Sequence, residues 1–161
     1  MTTDESELLR NQLVELLKTS HAHATFDAAV RDFPAELRSK KARGAPHTAW
    51  QLLEHIRIAL WDIAEFCRDT RHKSPSWPEG YWPKKPAPPS DEAWEESVKA
   101  IRASLDAMRK LIQDPKQDLF APLAGGSGQT LLREVLLAAD HNAYHLGQLV
   151  LVRKALEAWQ G

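Results

Sequence analysis

Between Leu131 and Val152 the chain is apolar around most of a helical circumference, and no other stretch constrains the fold as much. An ordinary surface helix has one apolar stripe. A helix apolar nearly all round must be packed on several sides, as the central member of a helical bundle is. It is expected to begin near Thr130 and to run to about Trp159. Within it stand His141 and His145, whose spacing puts both imidazoles on one face, about 6 Å apart. Two rings so placed can share a metal ion. Spacing alone is weak evidence, because a chain this long with seven histidines yields roughly 0.3 such pairs by chance. The wheel is more specific. At about 100° per residue, Glu134, His141, His145, Gln148 and Val152 fall in an arc of about 60°.

Three further long helices are expected. The first spans about Asp4 to Thr19, with Leu8, Leu9, Leu13, Leu16 and Leu17 at helical spacing and acids in its first turn. His21 and His23 follow two residues apart, a spacing that points them in different directions, so they read as ordinary polar residues. A short helix from Thr25 to Arg31 ends before Pro34, and the basic stretch from Arg38 to Pro46 is a loop. Thr48 and Gln51 form a capping box that starts the second long helix, which should reach about Thr70. Here His55 is flanked on the wheel by Leu52, Ala59 and Phe66. Thr48, Gln51, His55 and Asp62 share one side, beside Leu52, Ile56, Ile63 and Phe66. A polar line next to an apolar face costs stability unless it is satisfied, which points to a site. Asp62 lies about 10 Å along the axis from His55, too far to share its metal but placed to line a pocket above it. Pairing with an arginine elsewhere is the alternative role for that carboxylate.

From His72 to Ser90 the prolines at 75, 78, 83, 86, 88 and 89 forbid a helix. Trp77, Tyr81 and Trp82 nevertheless call for burial, so the segment should be an ordered crossover, a strap rather than a substrate lid. Its length would let the second and third long helices run parallel. The third opens at Ser90 and runs to about Gln113, with Trp94, Val98, Ile101, Leu105, Met108 and Ile112 as a packing stripe that carries no metal-type residue. The Gly125-Gly126-Ser127-Gly128 cluster lacks the Lys-Ser/Thr ending and preceding strand of a phosphate-binding loop. The expected fold is all-α, a four-helix bundle with a long crossover between helices 2 and 3, in one domain over residues 1–161.

The pairing of Trp50-Gln51-Leu52-Leu53-Glu54-His55-Ile56 with Asp140-His141-Asn142-Ala143-Tyr144-His145-Leu146-Gly147-Gln148 resembles the DinB/YfiT-like superfamily. The likeness extends over nearly the whole chain in helix order. It implies a four-helix bundle in which a histidine triad, His55, His141 and His145, binds a divalent metal, and in which dimers are common. It also implies that the reaction could be a thiol-dependent transfer, because some members activate a low-molecular-weight thiol on the metal.

Composition excludes several classes. A net charge of −1 and a pI near 6.7 give no general attraction to nucleic acid or to an anionic membrane, and no basic stripe with interleaved aromatics occurs. No apolar run approaches the ~20 residues of a transmembrane helix. The polar, acidic N-terminus is unlike a secretory signal, and one cysteine cannot form an internal disulfide; a cytoplasmic protein is expected. Cys67, about 120° around the wheel from His55, reads as core packing. A His-Glu-x-x-His peptidase is disfavoured because Asn142 stands where the catalytic glutamate would be.

Two functions remain. One is a metal-dependent enzyme acting on a small-molecule substrate, a thiol-dependent S-transferase or a hydrolase, with zinc as the first metal and nickel the second. Gln148, Glu134 and Asp62 are its pocket candidates, to orient the nucleophile or, for the carboxylates, to shuttle a proton. The other is a metal-binding dimeric bundle without catalysis, whose interface would use some of Trp50, Trp61, Trp77, Trp82 and Trp94.

Overall fold

The computed structural model describes residues 2–18 and 22–159, and these contain five α-helices and no strand. They are α1 (Thr3–Lys18), α2 (Phe26–Val30), α3 (Ala49–Arg68), α4 (Asp91–Gln113) and α5 (Leu131–Ala155). Single 3-10 turns lie at Ala35–Leu37 and Glu79–Tyr81. Among the described residues, no helix is long and apolar enough to cross a membrane. His21 and Thr19 lie outside the described residues.

The helix starts follow from short polar side chains that accept the orphan N–H groups of a first turn. Thr25, Thr48, Ser90 and Thr130 each accept from a backbone N–H three residues on. At Thr48 the box is complete, because Gln51 Oε1 accepts from the Thr48 N–H at 3.1 Å. Substituting a cap of this kind by alanine typically costs about 1 kcal/mol.

α3 packs against α4 and α5, and α1 closes the other side against the same two helices. The core runs through Leu53, Leu60, Met108, Ile112, Val135 and Leu149, all essentially buried. α5 is packed on several sides, against α3, α1 and α2, but it is not covered all round. Leu136, Tyr144 and Leu151 on one of its faces are 47%, 65% and 67% exposed.

α5 also stops short of the expected Trp159, at Ala155. Glu157 takes the left-handed conformation (φ 59°), and the Ala158 N–H returns to the Arg153 carbonyl at 3.0 Å. The buried Arg153 guanidinium seals this end. It donates to the carbonyls of Ala158 at 2.8 Å, Ala29 at 2.9 Å, Ala28 at 3.2 Å and Asp32 at 3.3 Å. The C-terminal end of α2 is thereby tied to the end of α5.

The proline-rich connection contains one 3-10 turn at Glu79–Tyr81, so the prolines exclude an α-helix but not a single tighter turn. The connection lies back along α3. His72 meets Asp62 at 2.7 Å, the Tyr81 carbonyl meets His55 at 2.8 Å, and Thr48 Oγ1 donates to the Pro86 carbonyl at 2.7 Å. Progressively later residues thus meet progressively earlier turns of α3. The chain re-enters a helix near the start of α3, where Arg38 reaches Asp91 at 3.1 Å.

Candidate metal centre

α3 presents His55 to α5, which presents His141 and His145, and one ligand atom from each ring lies within 4.8 Å of the others. His55 Nε2 is 3.1 Å from His145 Nε2 and 3.1 Å from His141 Nε2. His55 and His145 are buried and His141 is partly so. Three nitrogens around a tetrahedral ion, each about 2.1 Å from it, stand roughly 3.4 Å apart. Both spacings from His55 are already close to that value, and the third lies within 4.8 Å. Among the described residues it is the one His/Cys/Asp/Glu cluster of this kind.

Hydrogen bonding at the far side of two rings fixes what faces the centre. A backbone carbonyl only accepts, so the 2.8 Å contact to the Tyr81 oxygen requires His55 Nδ1 to carry the proton. His145 Nδ1 donates in the same way to Gln148 Oε1 at 3.1 Å. Both Nε2 atoms are then bare when the rings are neutral. Neutral they are: burial first, then the neighbouring His145 and His47, pushes the His55 pKa down to about 4 against the pull of Tyr81. Burial, with His145 and His55 beside it, pushes His141 down to about 4. His145 is also lowered, mainly by burial, with Gln148 opposing. Two lone pairs facing each other at 3.1 Å repel unless a cation lies between them. The donor set therefore fits a divalent transition ion, which takes neutral imidazole nitrogens whose other ring N–H is anchored. His141 Nδ1 and Asn142 Oδ1 are buried without a hydrogen-bond partner; Asn142 is near enough to favour the charged ring slightly but is not aligned to bond it.

Two residues outside the pocket candidates complete the surroundings: Trp82, expected to be buried but not at the triad, and His47. Trp82 stacks flat on His55, with ring centroids 3.8 Å apart and planes 4° apart, and His47 stacks on the other side of Trp82 at 4.0 Å. Burial and the charge of Lys41 lower the His47 pKa. No periodicity could have flagged these residues, because both lie in irregular segments. Proline density and aromatic content did mark the connection as ordered.

The three pocket candidates separate. Gln148 bonds a triad ring. Asp62 has both oxygens engaged, by Tyr81 Oη at 2.6 Å and His72 Nε2 at 2.7 Å, so its partner is a histidine and a tyrosine rather than an arginine. Glu134 is buried against Arg133 at 2.6 Å. It shares the azimuth of His141 but lies about 10 Å away along α5. Cys67 is a free, half-buried thiol packed against the core. His23 bonds the carbonyl of its neighbour Ala24 at 3.0 Å, as an ordinary polar residue does. Trp50 and Trp94 are core residues, whereas Trp61 and Trp77 are 39% and 72% exposed.

No curated protein and no solved structure matches the chain. The family model described as the DinB superfamily matches residues 18–149, a span that takes in α2 to α4, the connection along α3, and all three histidines. On that match, over most of its length, the chain belongs to the DinB superfamily.

Proposed function

We propose that the protein is a metal-dependent enzyme whose divalent ion is held by His55, His141 and His145 in a four-helix bundle formed by α1, α3, α4 and α5. The segment between α3 and α4 is the crossover of that bundle. The observation that carries this reading is the convergence of three neutral imidazole nitrogens, two of them set by anchored Nδ1 protons. Zinc is the first candidate and nickel the second. When bound, such an ion supplies a Lewis acid that lowers the pKa of a thiol or water.

The protein's own residues do the rest. The Tyr81 carbonyl and Gln148 hold two rings in the tautomer that presents Nε2. Trp82 covers the face of His55 and keeps water from it. Gln148 is the polar side chain placed to orient an incoming nucleophile, because it alone of the pocket candidates touches the triad. The reaction class we favour is thiol-dependent S-transfer to a small electrophile, with hydrolysis as the variant in which water replaces the thiol.

The test is metal content by mass spectrometry on tag-free protein, beside a His141→Ala, His145→Ala variant. About one equivalent of a transition metal is expected in the parent and none in the variant, with helical circular dichroism retained in both. Thiol conjugation to 1-chloro-2,4-dinitrobenzene should then follow metal content. No metal in the parent after reconstitution with zinc and nickel would sink the assignment. A second reading, a dimeric metal-binding bundle without catalysis, is favoured by exposed Trp77 and Trp61 and by the open face of α5. It predicts bound metal, a dimer by light scattering and no conjugation.

A further inference from the structure

Beside the triad, a cavity of about 290 Å³ opens between the loop 42–47 and the C-terminal half of α5. Leu52, Leu151, Val152 and Ala155 give it apolar walls, and the polar side chains on its lining are Arg43, His47 and Gln148. The loop that forms the opposite wall is built rather than draped. Ala42 is buried in the core, the Ala45 N–H closes a turn onto the Ala42 carbonyl at 3.0 Å, and Gly44 takes φ 78°, where a side chain would be strained. Two contacts join the cavity to the centre: Gln148 bonds His145, and His47 is stacked through Trp82 onto His55.

The loop that forms this wall is basic, and its Arg43 lines the cavity. Lys40, Lys41 and Arg43 stand within four positions, and no acid occurs from Arg38 to His47. Among the described residues the Arg43 guanidinium has no ion pair and no hydrogen bond. An unpaired guanidinium on the lining of a largely apolar pocket, beside the neutral polar groups of His47 and Gln148, is a complement for a carboxylate. Arg43 is itself exposed, so a carboxylate would meet it at the solvent-facing side of the cavity, where a cation would be repelled.

We propose that this cavity takes the apolar body of a small carboxylic acid, with Arg43 holding the carboxylate. This deepens the proposed function by naming its substrate class, and it rests on that reading of the triad. The volume is at the low end for ligand sites, which sets the body at on the order of a dozen non-hydrogen atoms.

The experiment is calorimetric titration of the full chain with 4-phenylbutyrate and with 4-phenylbutanol, which has the same body and no charge. The acid should bind about fivefold tighter than the alcohol, the scale of a solvent-facing ion pair. Arg43→Gln should bring the acid to the level of the alcohol. Ala155→Phe, at an exposed position of the wall, should fill the space and weaken both by at least about tenfold. Equal binding of acid and alcohol, or an acid affinity indifferent to Arg43→Gln, would overturn the carboxylate assignment. No binding of the acid at millimolar concentration, or binding indifferent to Ala155→Phe, would overturn the cavity as a site. Metal content is read on the same samples, so a triad that holds no metal is distinguished from a cavity that holds no acid.

Discussion

Replacing Asp62 by alanine should loosen the triad without touching it. The carboxylate is buried and accepts from Tyr81 Oη at 2.6 Å and His72 Nε2 at 2.7 Å, so it pins both ends of the stretch that delivers the Tyr81 carbonyl and Trp82 to His55. A hydrogen bond to an ionised acceptor contributes about 1.5–3 kcal/mol. Both donors are only partly buried, so water recovers some of the loss, and a net cost of about 3 kcal/mol is expected. For a chain of this size that corresponds to a fall in Tm of roughly 6–12 °C. The more telling readout is the metal. If the pinned stretch fixes the His55 tautomer, affinity measured against a chromophoric chelator should drop about 10–100-fold, as for loss of other outer-shell partners. In metal-free protein, nuclear magnetic resonance should show the His55 Nδ1 proton exchanging faster with solvent. Tyr81→Phe removes the hydroxyl but keeps the backbone carbonyl, and should cost about 1 kcal/mol with a smaller loss of affinity. A variant that loses the full stability while metal affinity and Nδ1 exchange stay unchanged would refute the reasoning: the stretch would then be a brace for the bundle and nothing more.

Other outcomes follow from the same geometry. Burial, with Glu134 near it, pushes the Cys67 thiol up to about 12, so the native protein should resist iodoacetamide at pH 8 and react at once in urea; rapid labelling of the native protein would contradict this placement. Metal-free protein should also lose stability on acidification. His55 and His141 are held near 4 when folded and return to about 6.5 when unfolded, so between those values the unfolded chain binds more protons and stability falls with pH. The loss, on the order of 3 kcal/mol for this coupled cluster, should level off below pH 4. Urea midpoints at pH 6.5 and 4.5 measure it, and a His55→Ala, His141→Ala variant with the same slope as the parent would contradict it.

What could be read from the chain was whatever a short-range rule controls. Thr48, Ser90 and Thr130 announce helix starts because a hydroxyl three residues before an orphan N–H is a local event. The triad was legible for a similar reason, since a four-residue interval and one histidine beside an apolar stripe fix the azimuth of each ring. Azimuth is all a wheel gives, however. Glu134 shares the face of His141 yet sits about two turns away, and Asp62 shares the face of His55 yet spends both oxygens on the returning connection. Tyr81, Trp82 and His47 reach the centre through segments without a period, where the path depends on tertiary contacts that no window of sequence contains. The end of α5 was misjudged for that reason too. Its apolar pattern continues, but a left-handed Glu157 and the Arg153 guanidinium end the helix.

That guanidinium has a consequence for how the molecule breathes. A helix of five residues such as α2 has no stability of its own in water. Its terminal carbonyls are satisfied by the Arg153 guanidinium from α5, and the Phe33 and Trp159 rings lie 5.2 Å and 5.7 Å from the same group. Segments some 125 residues apart in sequence therefore share a single latch, and releasing it exposes both. In the language of sub-global opening, α2 and the stretch after α5 form one cooperative unit: their amides should exchange at a common rate, ahead of the α3–α4 core, and shortening the tail should be felt first near the other end of the chain.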